Sequence, residues 1–421
     1  MRVLWLTHTP SGASDRLKVT DPGRGWIGSL EGLIKDQDDI TLGIAFFNDK
    51  QKEKFVIGRT TYFPIGFKHQ GFLGKLRQRL FTDLYDTNVD QVLAVIAEFK
   101  PDVIHLFGTE SGIGDIYNLV EIPIVVHLQG LVKPYLYNWS PKGISQKNIY
   151  WGSSWRARVL RRGTYFEHKL FQKRAEREGR IINGTEYFFG RTAWDKNYLE
   201  LYGKGAGYIH CEEVLRPSFY QNIWKKPNNK VYKFVTTINP QIYKGFEIIL
   251  ETARLLSGIN NFAFEWHIIG IEQENEIVAI MEAITNLKYQ NFNVIFRGPK
   301  SESELVAELL SADVFIHPSH IDNSPNSVCE AMLLGVPVIA SYVGGIPSLI
   351  EDGHNGVLYN SNDPYELASK ILLTVRDKEL ITRLSENARA TGIKRHDHEQ
   401  ILSTVLSTYN HIIQKDKLKI A

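Results

Sequence analysis

Cysteine is nearly missing: Cys211 and Cys329 are the only two in 421 residues. That is too few for a disulfide framework and suits a reducing compartment. Neither sign of charge is in excess. Forty-nine lysines and arginines stand against 47 aspartates and glutamates, a formal charge of +2, so the overall charge gives no reason to expect nucleic acid as a partner. No apolar run can span a bilayer, because the most apolar stretch, Ala331 to Gly345, is broken by Gly335, Pro337 and Gly344. Met1 to Pro10 reads as a short strand and lacks the long apolar stretch and small-residue cleavage site of a secretory signal. No internal repeat is evident. What remains is a cytoplasmic globular protein that is not integral to a membrane, and its length exceeds what one hydrophobic core serves, so two domains are expected.

The first half alternates apolar, β-rich runs with helical patterns. Strands are expected at Arg2–Thr7, at residues 40–47 and 55–64, at Val103–Phe107 and at 124–128, with helices at 26–35 and Val89–Phe99. The same rhythm restarts after Arg216-Pro217, with strands near 231–237, 264–269, 293–297, 314–317 and 337–341 and helices near 246–256, 302–310, 328–334 and 364–375. Strands alternating with helices build doubly wound parallel sheets. The expected fold is therefore α/β, with two Rossmann-like domains facing a cleft: 1–215, 216–395, and a last helix within 396–421 that crosses back to the first domain. The polar stretch Ser218–Lys230, with Pro227-Asn228-Asn229, reads as a linker.

Most of the chemistry is concentrated in DVFIHPSHIDNSPNSVCEAMLLGVPVIASYVGGIPSLIEDGHNGVL, Asp313 to Leu358. Its polar residues fall at the carboxyl ends of strands, the ligand-binding edge of an open parallel sheet. Asn323-Ser324-Pro325-Asn326-Ser327 leads into a helix at Val328, which aims free backbone N–H groups and the positive end of a helix dipole at anything bound there. Glu330 follows Ser327 by three residues. That spacing reads as a capping box, in which Glu330 only satisfies backbone, or as a ligand-facing carboxylate paired with Asp322 eight positions earlier. Gly344-Gly345 adds a turn where backbone can approach a ligand closely.

The acid-x7-Glu pattern from Asp322 to Glu330, EAMLLGVPVIAS, VGGIPSLIEDGHNGVL and the upstream Tyr243-Lys244-Gly245 resemble the donor domain of retaining GT-B glycosyltransferases, the large glycogen-synthase-like group often called family 4. The resemblance implies that Glu330 binds the ribose of a nucleotide-sugar donor, that the loop Asp322 to Ser327 with Val328 holds the transferred sugar, and that Lys244 neutralises the diphosphate. By the same resemblance Gly298-Pro299 lies near the nucleobase. Two departures stand out: the first acid of the pattern is usually glutamate, and many members carry an arginine where this chain has Ile238. Arg216, with Arg297 second, is the expected replacement cation, and an ion pair between domains is the other reading of Arg216.

In the first half, Pro22-Gly23-Arg24-Gly25-Trp26 resembles the loop that closes over donor phosphate, which puts Gly25 among the donor-binding residues. His127 falls where the group places a histidine that contacts the donor sugar, while His105 reads as structural. GRTAWDKNYLELYG, with Arg191, Thr192, Trp194 and Asp195, resembles a stretch of bacterial polysaccharide-building relatives and is expected to shape the rear of the cleft. Between Lys133 and Arg180 cations outnumber acids, and Trp139, Trp151 and Trp155 are interleaved with Arg156, Arg158, Arg161 and Arg162. This makeup suits an anionic membrane surface or a lipid-pyrophosphate acceptor, or else a solvated basic helix. Lys68–Arg79, with Phe72 and Leu73, is a second anchor candidate.

The expected reaction is transfer of a hexose-type sugar, with retention, from a nucleotide-diphosphate sugar to a hydroxyl of a saccharide or lipid-linked acceptor, as in bacterial surface polysaccharide synthesis. No metal or other cofactor is expected and no nucleic-acid partner. Contact with the membrane's inner face would be peripheral. Asp322 is either a sugar-binding group or a nucleophile. A nucleotide-sugar 2-epimerase and a catalytically silent GT-B subunit that binds a partner or glycan are the alternatives.

Overall fold

Each half of the chain spends its short β-branched and aromatic runs on one open sheet. The structure is a computed structural model that describes residues 1–17, 25–66 and 88–420. Pro22, Gly23, Arg24 and the stretch Lys68–Arg79 therefore lie outside the described residues.

The first sheet contains β1 (Arg2–Thr7), β2 (Thr41–Phe47), β3 (Phe55–Ile57), β4 (Thr60–Ile65), β5 (Val103–Phe107), β6 (Ile124–His127), β7 (Tyr187–Gly190) and β8 (Gly207–His210). They lie in the order β3-β4-β2-β1-β5-β6-β7-β8. All neighbours are parallel except the β3–β4 pair, which turns back at Gly58. Every residue of β5 and β6 is buried, as expected of parallel strands covered on both faces.

The second sheet contains β9 (Tyr232–Thr237), β10 (Phe264–Ile269), β11 (Val294–Gly298), β12 (Val314–His317), β13 (Val338–Ser341) and β14 (Val357–Tyr359). Its order is β11-β10-β9-β12-β13-β14 and all of its pairs are parallel. The chain winds outward in one direction from β9 and in the other from β12, so the β9/β12 junction is the switch point where an open α/β sheet binds its ligands.

The chain divides into two units: Met1–Lys133 with Lys169–Arg216 and His396–Ala421, and Pro134–His168 with Pro217–Arg395. The last helix, His398–Ile420, groups with the first unit. There Ile401, Val405, Tyr409 and Ile412 join the core, and the Tyr409 hydroxyl accepts a hydrogen bond from the Trp5 indole at 3.1 Å. Two segments differ from the sequence reading. Residues 134–168, expected in the first domain, pack within the second unit: the Lys142 N–H donates to Asn362 Oδ1 at 3.2 Å and the Thr164 N–H to Glu276 Oε2 at 3.1 Å. Ser218–Lys230 is not a free linker, because Trp224 is buried and its indole donates to the Ala312 carbonyl at 2.8 Å. Phe219 is fully buried as well, so two aromatic side chains tie this otherwise polar stretch to the domain.

Candidate functional site

At the carboxyl end of β9 the chain makes a short turn, Ile242–Lys244, and Gly245 then opens the helix Phe246–Ser257 at φ 76°. A side chain at 245 would run into backbone, since its Cβ would lie 2.1 Å from the Pro318 carbonyl oxygen. Glycine here lets the Lys244 turn press against the loop that leaves β12, and the His320 N–H closes the contact by donating to the Tyr243 carbonyl at 2.8 Å.

That contact brings Lys244 to Asp322. Lys244 Nζ donates to Asp322 Oδ2 at 2.5 Å, and His317 Nε2 lies 3.1 Å from the same oxygen. A carboxylate only accepts, so the imidazole carries its proton on Nε2. The other oxygen, Oδ1, accepts from the Tyr135 hydroxyl at 3.0 Å. Burial alone would raise the Asp322 carboxyl, but the Lys244 charge and the His317 hydrogen bond outweigh it and hold the group well below the usual carboxylate range. Burial pushes His317 down, against the pull of Asp322. The site is therefore a buried anion clamped by one cation, a neutral imidazole and a phenol.

Beside it, Asn323, Ser324 and Pro325 are buried and lead into the helix Asn326–Leu334. The Asn326 and Ser327 amides at its start have no carbonyl one turn back and form the positive end of the helix, while the Val328 N–H donates to the Pro325 carbonyl at 3.0 Å. The helix starts two residues before Val328, with Pro325 as N-cap and no side-chain cap. Ser327 is thus inside the helix, and no capping box forms with Glu330, which is buried in the second turn. Capping boxes form instead at Ser145–Asn148, Thr192–Asp195 and Ser301–Glu304. The Gly344-Gly345 turn is also spent on protein: the Gly345 N–H donates to the Asp322 carbonyl at 2.9 Å, and a Cβ at 344 would meet that oxygen at 2.1 Å. These glycines support the Asp322 loop from behind.

Other expected residues are placed as follows. Ile238 is buried, with its backbone bonded to Ile269. Gly298 sits at φ 65° against Glu272, and Pro299 is exposed beyond it. Arg297 Nε donates to Glu308 Oε1 at 3.1 Å, so that cation is engaged away from Lys244's cluster. In the first unit Arg216 is buried at its last residue, and Gly25 opens the helix Gly25–Ile34 at φ 54°. Arg191 is buried and donates to the Gln129 carbonyl at 2.6 Å, while Thr192 and Asp195 cap the helix Ala193–Tyr202.

His127 is not at a surface. It is 0 % exposed, covered by the Trp26 ring at 4.6 Å and stacked on His105 at 5.4 Å. Burial, then His105 and Arg191, drive its pKa far down, so the ring is neutral. A strand-end position in sequence suggests an accessible histidine, but the aromatic residues of β5, β7 and the helix Gly25–Ile34 close over it.

The basic aromatic segment behaves differently. Trp151 is 64 % exposed, Trp155 63 % and Val159 70 %. Arg156 lies over the Trp155 ring, and Arg158 over Tyr150 and Trp151, at 4.9 to 5.6 Å. Arg161 and Arg162 are exposed beside them. Sequence reasoning missed Tyr135 and His317. His317 is legible as a polar residue at a strand's carboxyl end, whereas nothing in the sequence links Tyr135 to a residue 187 positions away.

Residues 219–391 match the family model for glycosyl transferases group 1. Among curated proteins, the N-acetyl-alpha-D-glucosaminyl L-malate synthase of Bacillus anthracis is 31% identical over 143 residues, 34% of this chain and 36% of that protein. The match thus spans about a third of the relative's length. Among solved structures, sucrose-phosphate synthase from Thermosynechococcus elongatus superposes with a TM-score of 0.72 at 14% identity, covering 99% of this chain and 100% of that one. Anabaena Alr3699/HepE in complex with UDP and glucose gives 0.62 at 17% identity, covering 98% and 100%.

Proposed function

From the match of residues 219–391 to the group 1 glycosyltransferase model and the GT-B fold, we propose that this chain is a group 1 glycosyltransferase that moves a hexose-type sugar, with retention, from a nucleotide-diphosphate sugar to a hydroxyl of a saccharide or lipid-linked acceptor. The observation that carries the reading is the Lys244–Asp322 pair at the β9/β12 switch point beside the N-terminus of the helix Asn326–Leu334. Lys244 and the helix amides offer the leaving diphosphate fixed positive charge, which is where departure of a nucleotide needs stabilisation. Asp322 and Asn323 face the sugar, and Glu330 takes the ribose. His127, sealed under Trp26, has no part in sugar contact in this reading.

As the sugar's anomeric carbon leaves the diphosphate, the acceptor hydroxyl attacks from the same face, and catalysis rests on positioning and electrostatics. The exposed face of Trp151, Trp155, Arg156, Arg161 and Arg162, with the half-buried Arg158 beside it, supports an acceptor held at an anionic membrane surface, where cations meet headgroups and tryptophans lie at the interface. Among the described residues no helix is long and apolar enough to cross a membrane, and the contact proposed is a peripheral one.

Calorimetry against UDP, GDP, ADP, TDP and CMP tests the reading. One nucleotide binds the parent protein, and Lys244→Ala and Glu330→Ala each weaken it about tenfold or more, a loss of about 1.4 kcal/mol. No binding by the parent, or equal binding by both variants, overturns the proposal and favours a silent subunit.

A further inference from the structure

Asp322 raises a problem that its own loop does not solve. Its carboxylate holds Lys244, the cation that the donor diphosphate needs. When the diphosphate takes Lys244, an aspartate held only by that lysine would swing away from the sugar. Two other groups stay in place. His317 remains on Oδ2, and on Oδ1 the Tyr135 hydroxyl donates at 3.0 Å while accepting the Asn323 N–H at 3.1 Å.

Tyr135 comes from outside the matched family region, on the short helix Val132–Tyr137. Its ring meets Tyr243 edge-on at 5.1 Å and 90°, and Trp139 meets Tyr243 from another side at 5.7 Å. Tyr243 is the neighbour of Lys244. One side chain therefore touches both the turn that carries the diphosphate cation and the loop that carries the sugar. Burial and Asp322 push the Tyr135 phenol well above its ordinary value, so it stays a donor throughout the neutral range.

Resting on the function proposed above, we propose that Tyr135 is a positioning residue for the donor sugar: its hydroxyl fixes Asp322 and the Asn323 amide so that the carboxylate keeps its aim when Lys244 moves to the diphosphate. This also gives the shorter acid a role. An aspartate is one methylene shorter than glutamate, and the phenol holds it at a fixed depth from the side opposite the lysine. The segment 134–168 is then part of the sugar site as well as of the exposed basic face.

The test compares Tyr135→Phe, which keeps the ring against Tyr243, with the parent and with Asp322→Asn, each assayed well below its own melting temperature so that all three are folded. The affinity for the nucleoside diphosphate stays within twofold in Tyr135→Phe, because Lys244 and the helix amides are untouched. Turnover of the matching nucleotide sugar falls about tenfold or more, since small misplacements of reacting groups carry large rate losses. In the Asp322→Asn background the same change costs less than twofold, because the aim of the carboxylate is already lost. Unchanged turnover in Tyr135→Phe, or equal losses in nucleotide affinity and turnover, overturns the inference while leaving transferase activity intact. A parent protein that binds no nucleoside diphosphate overturns both the inference and the function it rests on.

Discussion

Lys244 and Asp322, 78 positions apart in the chain, form a 2.5 Å ion pair with little access to solvent. Removing one partner leaves the other buried and uncompensated, which costs about 3–5 kcal/mol in comparable pairs. Lys244→Met is therefore expected to destabilise the protein by about 3 kcal/mol and to weaken nucleotide binding about tenfold or more. Adding Asp322→Asn restores much of the stability but none of the binding. Urea unfolding and calorimetry on the three variants check both halves.

Gly245→Ala should be nearly as damaging without touching a charge. It forces a non-glycine residue to φ 76° and drives a Cβ to 2.1 Å from the Pro318 oxygen. A loss of about 2 kcal/mol is expected from strain and clash together. The midpoint of denaturation should fall, and nucleotide affinity should fall with it because the Lys244 turn is displaced.

The first unit should lose stability in mild acid. His105 is sealed in the core with His127, Trp5 and Tyr409 around it, and burial lowers its pKa to about 3. Its folded pKa lies below the unfolded value of 6.5, so between these values the unfolded state binds more protons and stability rises with pH. As pH falls from 6.5 toward 3, this histidine removes about 1 kcal/mol per pH unit. Denaturation curves at pH 7, 6 and 5 should show the slope, and His105→Gln should make it shallower even if its stability at pH 7 is lower.

Reversing charge on the exposed basic face should separate membrane contact from donor chemistry. Arg156→Glu with Arg158→Glu is expected to abolish co-sedimentation with vesicles rich in anionic lipid, while nucleoside diphosphate affinity is unchanged. Binding by the parent should weaken with salt. Equal sedimentation of parent and variant would remove the membrane from the proposal.

Transfer should continue in EDTA, because the proposed stabilisation of the diphosphate comes from Lys244 and helix amides. Complete loss of turnover on chelation, restored by a divalent ion, would overturn that account.

Much of the architecture was legible because the strands of both sheets are short apolar runs bounded by turn residues. The sequence reading lacks β7, β8 and the edge strand β14: they are only four, four and three residues long, and no residue of Gly207–His210 is buried. Helix starts were legible to within two or three residues, and that margin decided Glu330, since a helix starting at Asn326 rather than Val328 removes the capping box. The spacing of motifs within one domain singles out Asp322, Lys244 and Glu330, and the structure brings the first two together. His127 lies at the end of β6 as the sequence predicts, but nothing local shows that Trp26, about a hundred positions earlier, covers it. Tyr135 had no local signal at all.

The chain passes from one unit to the other at 133/134, 168/169, 216/217 and 395/396. Such interleaving limits modular inheritance. A fragment covering only 217–395 would carry the matched family domain but would lack Tyr135 and the buried Trp139 that meets Tyr243. A chimera joined to a relative at residue 216 would pair this Asp322 with a foreign residue in place of that phenol. Exchanging donor preference between relatives by cut and paste therefore requires moving two separate stretches of sequence together, with residues 134–168 as the smaller one.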